Sequence, residues 1–180
     1  GRNFPTGSTI EFVGNKRTVQ ITIPNETLSK DAQALIGISK DVKNVNNQSV
    51  ALDSEGTAFT SLVNVYDNVK PVLASGKFTN VSNSLTSTVE LTFSEDVANG
   101  ATDDFQFMVN GAKVTGTIAF GAGADAEKAV VTFDQQVNVN QALTVKVLAE
   151  ADQDDKAMDT TDASTAANKL TAGTTITVAR

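Results

Sequence analysis

Apolar side chains in this chain recur at every second position over short stretches, and the stretches then stop. STIEFV from Ser8, TVQITI from Thr18, SLVNVY from Ser61, STVELTF from Ser87 and ALTVKVLAE from Ala142 all show this alternation. ALIGIS from Ala34, KPVLASGKF from Lys70, FQFMVNG from Phe105, KVTGTIAF from Lys113, AVVTF from Ala129 and TTITVAR from Thr174 extend the series. A period of two puts alternate side chains on opposite faces of an extended backbone, so each run reads as a strand. Gly, Asn, Asp, Ser or Pro bounds each one, as turns require. No helical period is sustained, and SKDAQA from Ser29 is predicted to make one Ser-capped turn. The fold class expected is all-β.

The order of runs repeats. TIEF, TVQITI, a polar link, ALIGIS, the loop KDVKNVNNQS and SLVNVY are followed later by GTIAF, AVVTF, a polar link, ALTVKVLAE, the loop DQDDKAMDTTDAS and TTITVA. This places Thr9 against Thr117 and Val19 against Val130. Two units are expected, 1–66 and 67–180, with Pro71 opening the second in extended conformation. The second has the length and strand number of an immunoglobulin-like sandwich. The first lacks the strands that Lys70 to Gly111 supply to the second, so it is expected to be the later part of such a domain. A preceding segment or a neighbouring molecule is expected to complete it.

Composition narrows the chemistry. The chain has no Cys and no His, which removes Cys- and His-based nucleophilic arrangements, zinc sites built on those ligands and any disulfide staple. Val and Thr are frequent, and aromatics are only 6%, a bias that fits a pleated, half-buried surface. Phe12, Phe93, Phe107, Phe120 and Phe133 lie in alternating runs and are expected in the core. The net charge of −7 falls entirely after Tyr66, and an acidic surface without a basic stripe repels phosphates, so a nucleic-acid partner is not expected. No apolar run has the length of a membrane-spanning helix.

In the second unit DNVKPVLASGKF, then STVELTFSEDV, then FQFMVNGAKV resembles the bacterial Ig-like domains of Bacillaceae surface-layer proteins. Asp67 to Pro71, Phe93-Ser94-Glu95 and the Asn110-Gly111 turn carry the match. The resemblance implies a repeat module of a secreted protein that self-associates into a two-dimensional lattice on the cell wall, with calcium helping to fix domain orientation or assembly. Wall anchoring would belong to another region.

The acidic loop is the densest candidate site. Asp152, Asp154, Asp155, Asp159 and Asp162 offer oxygen ligands suited to a hard cation such as calcium. The spacing is not an EF-hand, because Ala157 stands at the glycine position and Ala163 at the terminal glutamate position. Asp67, at the junction of the units, is a further candidate ligand. Turn-forming and solvated aspartates are the competing reading for both. Glu95/Asp96 and Asp103/Asp104 are neighbours in sequence, which does not make the facing carboxylates of a glycosidase. Gly121 and Gly123 read as a hairpin connection, since no Lys-Ser/Thr follows them.

Taken together these features predict a structural lattice module with no catalytic residues. The alternatives are a glycan- or protein-binding module of an adhesin and an accessory domain of a secreted hydrolase.

Overall fold

The computed structural model describes residues 4–14, 18–38, 41–49, 60–153 and 157–180. The chain forms two compact units, Gly1–Asn68 and Val69–Arg180. Regular structure among the described residues is antiparallel strand, with three short 3-10 turns. No helix among them is long and apolar enough to cross a membrane.

The first unit holds two separate ribbons. β1 (Thr9–Val13) pairs with β2 (Thr18–Thr22), and β3 (Ala32–Gly37) pairs with β4 (Thr60–Val65). The capped turn expected at Ser29 is absent, because Ala32 and Gln33 are drawn into β3 opposite Val65 and Asn64. A tight turn falls earlier, at Asn25-Glu26, where Glu26 has φ of 57°. Asn68 secures it. Its Oδ1 accepts from the N–H groups of Thr27 and Leu28 at 3.0 and 2.9 Å, and its Nδ2 donates to the Pro24 carbonyl at 2.9 Å.

The second unit is a two-layer sandwich. One sheet runs β10 (Gly116–Phe120), β11 (Lys128–Asn138), β6 (Leu85–Phe93), β5 (Leu73–Thr79). The other runs β14 (Thr175–Thr177), β12 (Leu143–Val147), β8 (Phe105–Val109), β9 (Ala112–Val114). The run predicted as one strand from Lys113 is two, since the chain leaves one sheet at Thr115 and enters the other at Gly116. No side chain fits at Gly116: a Cβ there would meet the Thr132 carbonyl oxygen at 2.6 Å. Two further short strands, β7 (Val97–Asn99) and β13 (Thr161–Asp162), pair outside the main sheets.

Alternation builds the core. Val89, Leu91 and Phe93 of β6, Ala129, Val131 and Phe133 of β11, and Leu143, Val145 and Val147 of β12 are buried between the sheets. Phe93, Phe105 and Phe120 cluster with ring centroids 6.0 to 6.4 Å apart, and Phe107 meets Phe133 edge-on at 5.6 Å. These separations suit favourable ring contacts. Phe12 departs from expectation: it is 66% exposed. Among the described residues every buried hydrophobic side chain lies between Leu73 and Val178.

The two hairpins of the repeat share a register, and it corrects the alignment by one residue. Thr9 pairs with Thr22 and Phe12 with Val19, while Thr117 pairs with Thr132 and Phe120 with Ala129. Val19 therefore corresponds to Ala129, not Val130. Val130 is exposed, as is Gln20.

Candidate metal centre

Two local devices bring carboxylates together in the second unit. After β6 the chain turns at Ser94, whose N–H donates to the Val72 carbonyl and whose Oγ accepts from the Val72 N–H, both at 2.9 Å. Glu95 follows immediately. From the other side, β13 pairs with β7, and the Ala163 N–H donates to the Asp96 carbonyl at 3.1 Å. Glu95 and Asp162 consequently place carboxylate oxygens within 4.8 Å of one another.

Asp162 is buried, and its own loop surrounds it. Oδ1 accepts from Ser164 N–H at 3.1 Å, Ser164 Oγ at 2.7 Å and Asn168 N–H at 3.0 Å, while Oδ2 accepts from Asn168 Nδ2 at 2.8 Å. Such a set holds the carboxylate in one orientation, as a pre-arranged ligand needs. Glu95 is half-buried, with Oε1 shielded from solvent. Two carboxylates this close, away from bulk water, repel one another unless a proton or a cation lies between them. Hard oxygen donors of this kind fit calcium or magnesium better than a soft metal.

Two of the remaining candidates stand apart from this pair. Asp152 and Asp159 are exposed, and the described carboxylates do not place either of them with Asp162. Asp154 and Asp155 lie outside the described residues. Asp67 belongs to the first unit, where it is buried and its N–H donates to Asp31 Oδ1 at 2.8 Å. Glu95, set aside in the sequence as half of an adjacent pair, is the residue the structure adds. The signal that could have found it is the Phe93-Ser94-Glu95 turn, which ends the one long strand of that region.

The other adjacent pair divides as well. In the Asp103/Asp104 pair Asp103 is exposed, but Asp104 is fully buried. Asp104 accepts from the N–H groups of Thr160 and Asp159, at 2.8 and 3.3 Å, and from the Thr160 hydroxyl. This anchors the stretch that leads to Asp162.

On the loop surface Glu150 and Lys169 form an ion pair of 2.7 Å. The hydrogen bond from Lys169, then its charge, then a Met158 backbone hydrogen bond hold the Glu150 carboxyl below its ordinary range. The Lys169 ammonium is raised in return. A surface depression of about 390 Å³ in this unit is lined by Val109, Lys113, Gln135, Gln136 and Gln141 among others, with no carboxylate in its lining.

The fold and this acidic pair define an all-β sandwich module with a candidate hard-cation position at one end of it. No family model matches the chain, and no curated protein matches it. Solved structures similar to it include the N-terminal part of the bacterial S-layer protein SbsC, at 15% identity and a TM-score of 0.45, over 61% of this chain and 23% of that one. Another is the S-layer protein rSbsC(31-844), at 14% identity and a TM-score of 0.47, over 63% of this chain and 14% of that one. The chain thus spans less than a quarter of either structure's length.

Proposed function

We propose that this chain is a structural module of a secreted bacterial surface-layer protein, made of tandem immunoglobulin-like sandwiches that self-associate into a cell-surface lattice. The observation that carries this reading is the repeated hairpin. β1–β2 and β10–β11 pair in the same register through Thr9/Thr22 and Thr117/Thr132, which supports reading them as two copies of one module. Tandem copies of a rigid sandwich suit spacing and contact better than turnover of a substrate. Electron microscopy of the parent protein should show ordered sheets whose formation depends on calcium. Monomers with and without calcium would overturn the proposal.

Calcium belongs to the same reading. Glu95 and Asp162 would hold the ion, both of them carried by the second unit. Water and backbone carbonyls would complete the six to eight oxygens calcium takes.

A further inference from the structure

β11 does not alternate to its end. Val131 and Phe133 are buried, but Asp134, Gln135 and Gln136 follow as consecutive exposed residues before Val137 is buried again. The ladder carries the same interruption. Thr132 pairs with Thr88 and Val137 with Thr86, so β11 spends several residues where β6 spends one. Such a bulge re-aims side chains, and bulges gather beside functional sites. This one is pinned at Thr115, whose carbonyl accepts from the Asp134 N–H at 3.1 Å and whose Oγ donates to Asp134 Oδ2 at 2.6 Å.

The bulge supplies part of the lining of the depression of about 390 Å³ that also takes in β9. Val109, Val114 and Val137 give that lining its apolar part, and Lys113, Gln135, Gln136 and Gln141 most of its polar part. Among the described residues no hydrogen bond or ion pair engages the side chains of these four. Lys113 is the one charged residue of the lining, on a chain whose net charge is −7. The volume falls within the range of about 300–1,000 Å³ common for small-molecule sites.

We propose that this depression binds a sugar acid, a saccharide unit carrying one carboxylate. Each glutamine amide offers donors and an acceptor together. A ligand with acceptors alone, such as phosphate, would leave the amide oxygens without donors, whereas sugar hydroxyls both donate and accept. The C–H face of a sugar ring suits the valine side chains, and the Lys113 ammonium complements the carboxylate. Asp134, next to Gln135 in sequence, is not in the lining, and its Oδ2 is taken by Thr115. An extended peptide is the poorer occupant, because β9 is three residues long and too short an edge for strand addition.

The test is a titration of the whole isotope-labelled chain with glucuronate, glucose and acetate, followed through backbone and glutamine side-chain amide shifts. The expected result is saturable shifts at residues 112–115, 135–137 and 141 with glucuronate, weaker binding of glucose at the same positions, and none of acetate. Lys113→Gln should lower glucuronate affinity about threefold, the size an exposed charge pair allows, and leave glucose as it was. Gln136→Ala should weaken both sugars. Lys77→Gln makes the same change of charge outside the lining and should bind as the parent does. All three positions are exposed, so each variant should melt with the parent. Absence of saturable shifts at high millimolar glucuronate, shifts confined to other residues, or an unchanged glucuronate affinity in Lys113→Gln would each overturn the proposal. Acetate or glucose binding as tightly as glucuronate would overturn it too, by removing either the ring or the charge from what is recognised. None of these outcomes bears on calcium or sheet assembly.

Discussion

The Thr160 N–H donates to Asp104 Oδ2 at 2.8 Å across 56 residues of sequence, with both residues buried. The same carboxylate takes the Thr160 hydroxyl and the Asp159 N–H. These bonds fasten the acidic loop to the sandwich.

Asp104→Ala would leave these buried donors without an acceptor. Loss of a charged acceptor from buried donors costs about 2–4 kcal/mol, which for a domain of this size lowers Tm by roughly 10–20 °C. Asp104→Asn should fall between, because its amide turns a donor toward groups that also donate. Asp103→Ala, at an exposed site, should stay within about 0.5 kcal/mol. Thermal melts of the three variants check the ranking.

Glu95→Gln separates a cation site from a mere acidic surface. If calcium sits at Glu95 and Asp162, saturating calcium at a hundredfold excess over Kd stabilises the parent by about 2.7 kcal/mol, and the variant loses most of this gain. Without calcium the variant should melt at the same temperature as the parent or higher, since one of two facing charges is gone. Asp152→Asn, at an exposed position, should keep the calcium response. Calorimetry and melts with and without the ion measure both effects, and a calcium response unchanged in Glu95→Gln would exclude the site.

How much of this was legible in the sequence depended on the length of each element. β6 and β11 carry many periods of alternation, and their buried faces follow directly from Val89, Leu91, Ala129 and Val131. β7 and β13 are two or three residues long, too short for any period, yet their pairing is what brings Asp162 beside Glu95. The cluster around Asp152 looked like a site because its aspartates are close in sequence. Closeness in space came from a ladder between segments more than sixty residues apart. Asp104 was hidden for a related reason: a 3-10 turn over Thr102–Asp104 sends one aspartate inward and its neighbour out, and two adjacent letters do not say which. The one-residue error in the repeat arose because Val19 and Val130 are the same letter, whereas hairpin pairing matches Val19 to Ala129.

The Glu150–Lys169 pair gives a pH signature with a definite sign. Glu150 is lowered from its ordinary value near 4.5, so any stabilisation it gives is present above that value and lost as pH falls through its folded pKa. Lys169 is raised from 10.5, so its share is present below that value and lost as pH rises through its folded pKa. Both side chains are half-exposed or more, and solvent-screened pairs of this kind contribute little to stability. Carboxyl NMR titration should find Glu150 lowered, and the lowering should be lost in Lys169→Met. The melting temperature at neutral pH should scarcely move.

The contrast between the two units yields the last prediction. Backbone amides are protected by hydrogen bonds that open only when packing is lost, so protection follows the apolar area buried around each ladder. β6 and β11 lie inside sheets whose inner faces carry Val89, Leu91 and Val131, all fully buried. β1–β2 and β3–β4 are isolated two-stranded ribbons, and the pair Leu35 and Leu62, directly opposite in β3 and β4, remains 64% exposed at each residue. Two-stranded ribbons are marginal in water without a third strand or a packed face. Hydrogen exchange on the whole chain should therefore show the β1–β4 amides exchanging at least a hundredfold faster than those of β6 and β11. A Thr86→Ala change, which removes a buried hydroxyl at the start of β6, should speed exchange in the second unit while leaving β1–β4 as they were. Equal protection in both units would mean that the ribbons bury far more than their exposed leucines indicate.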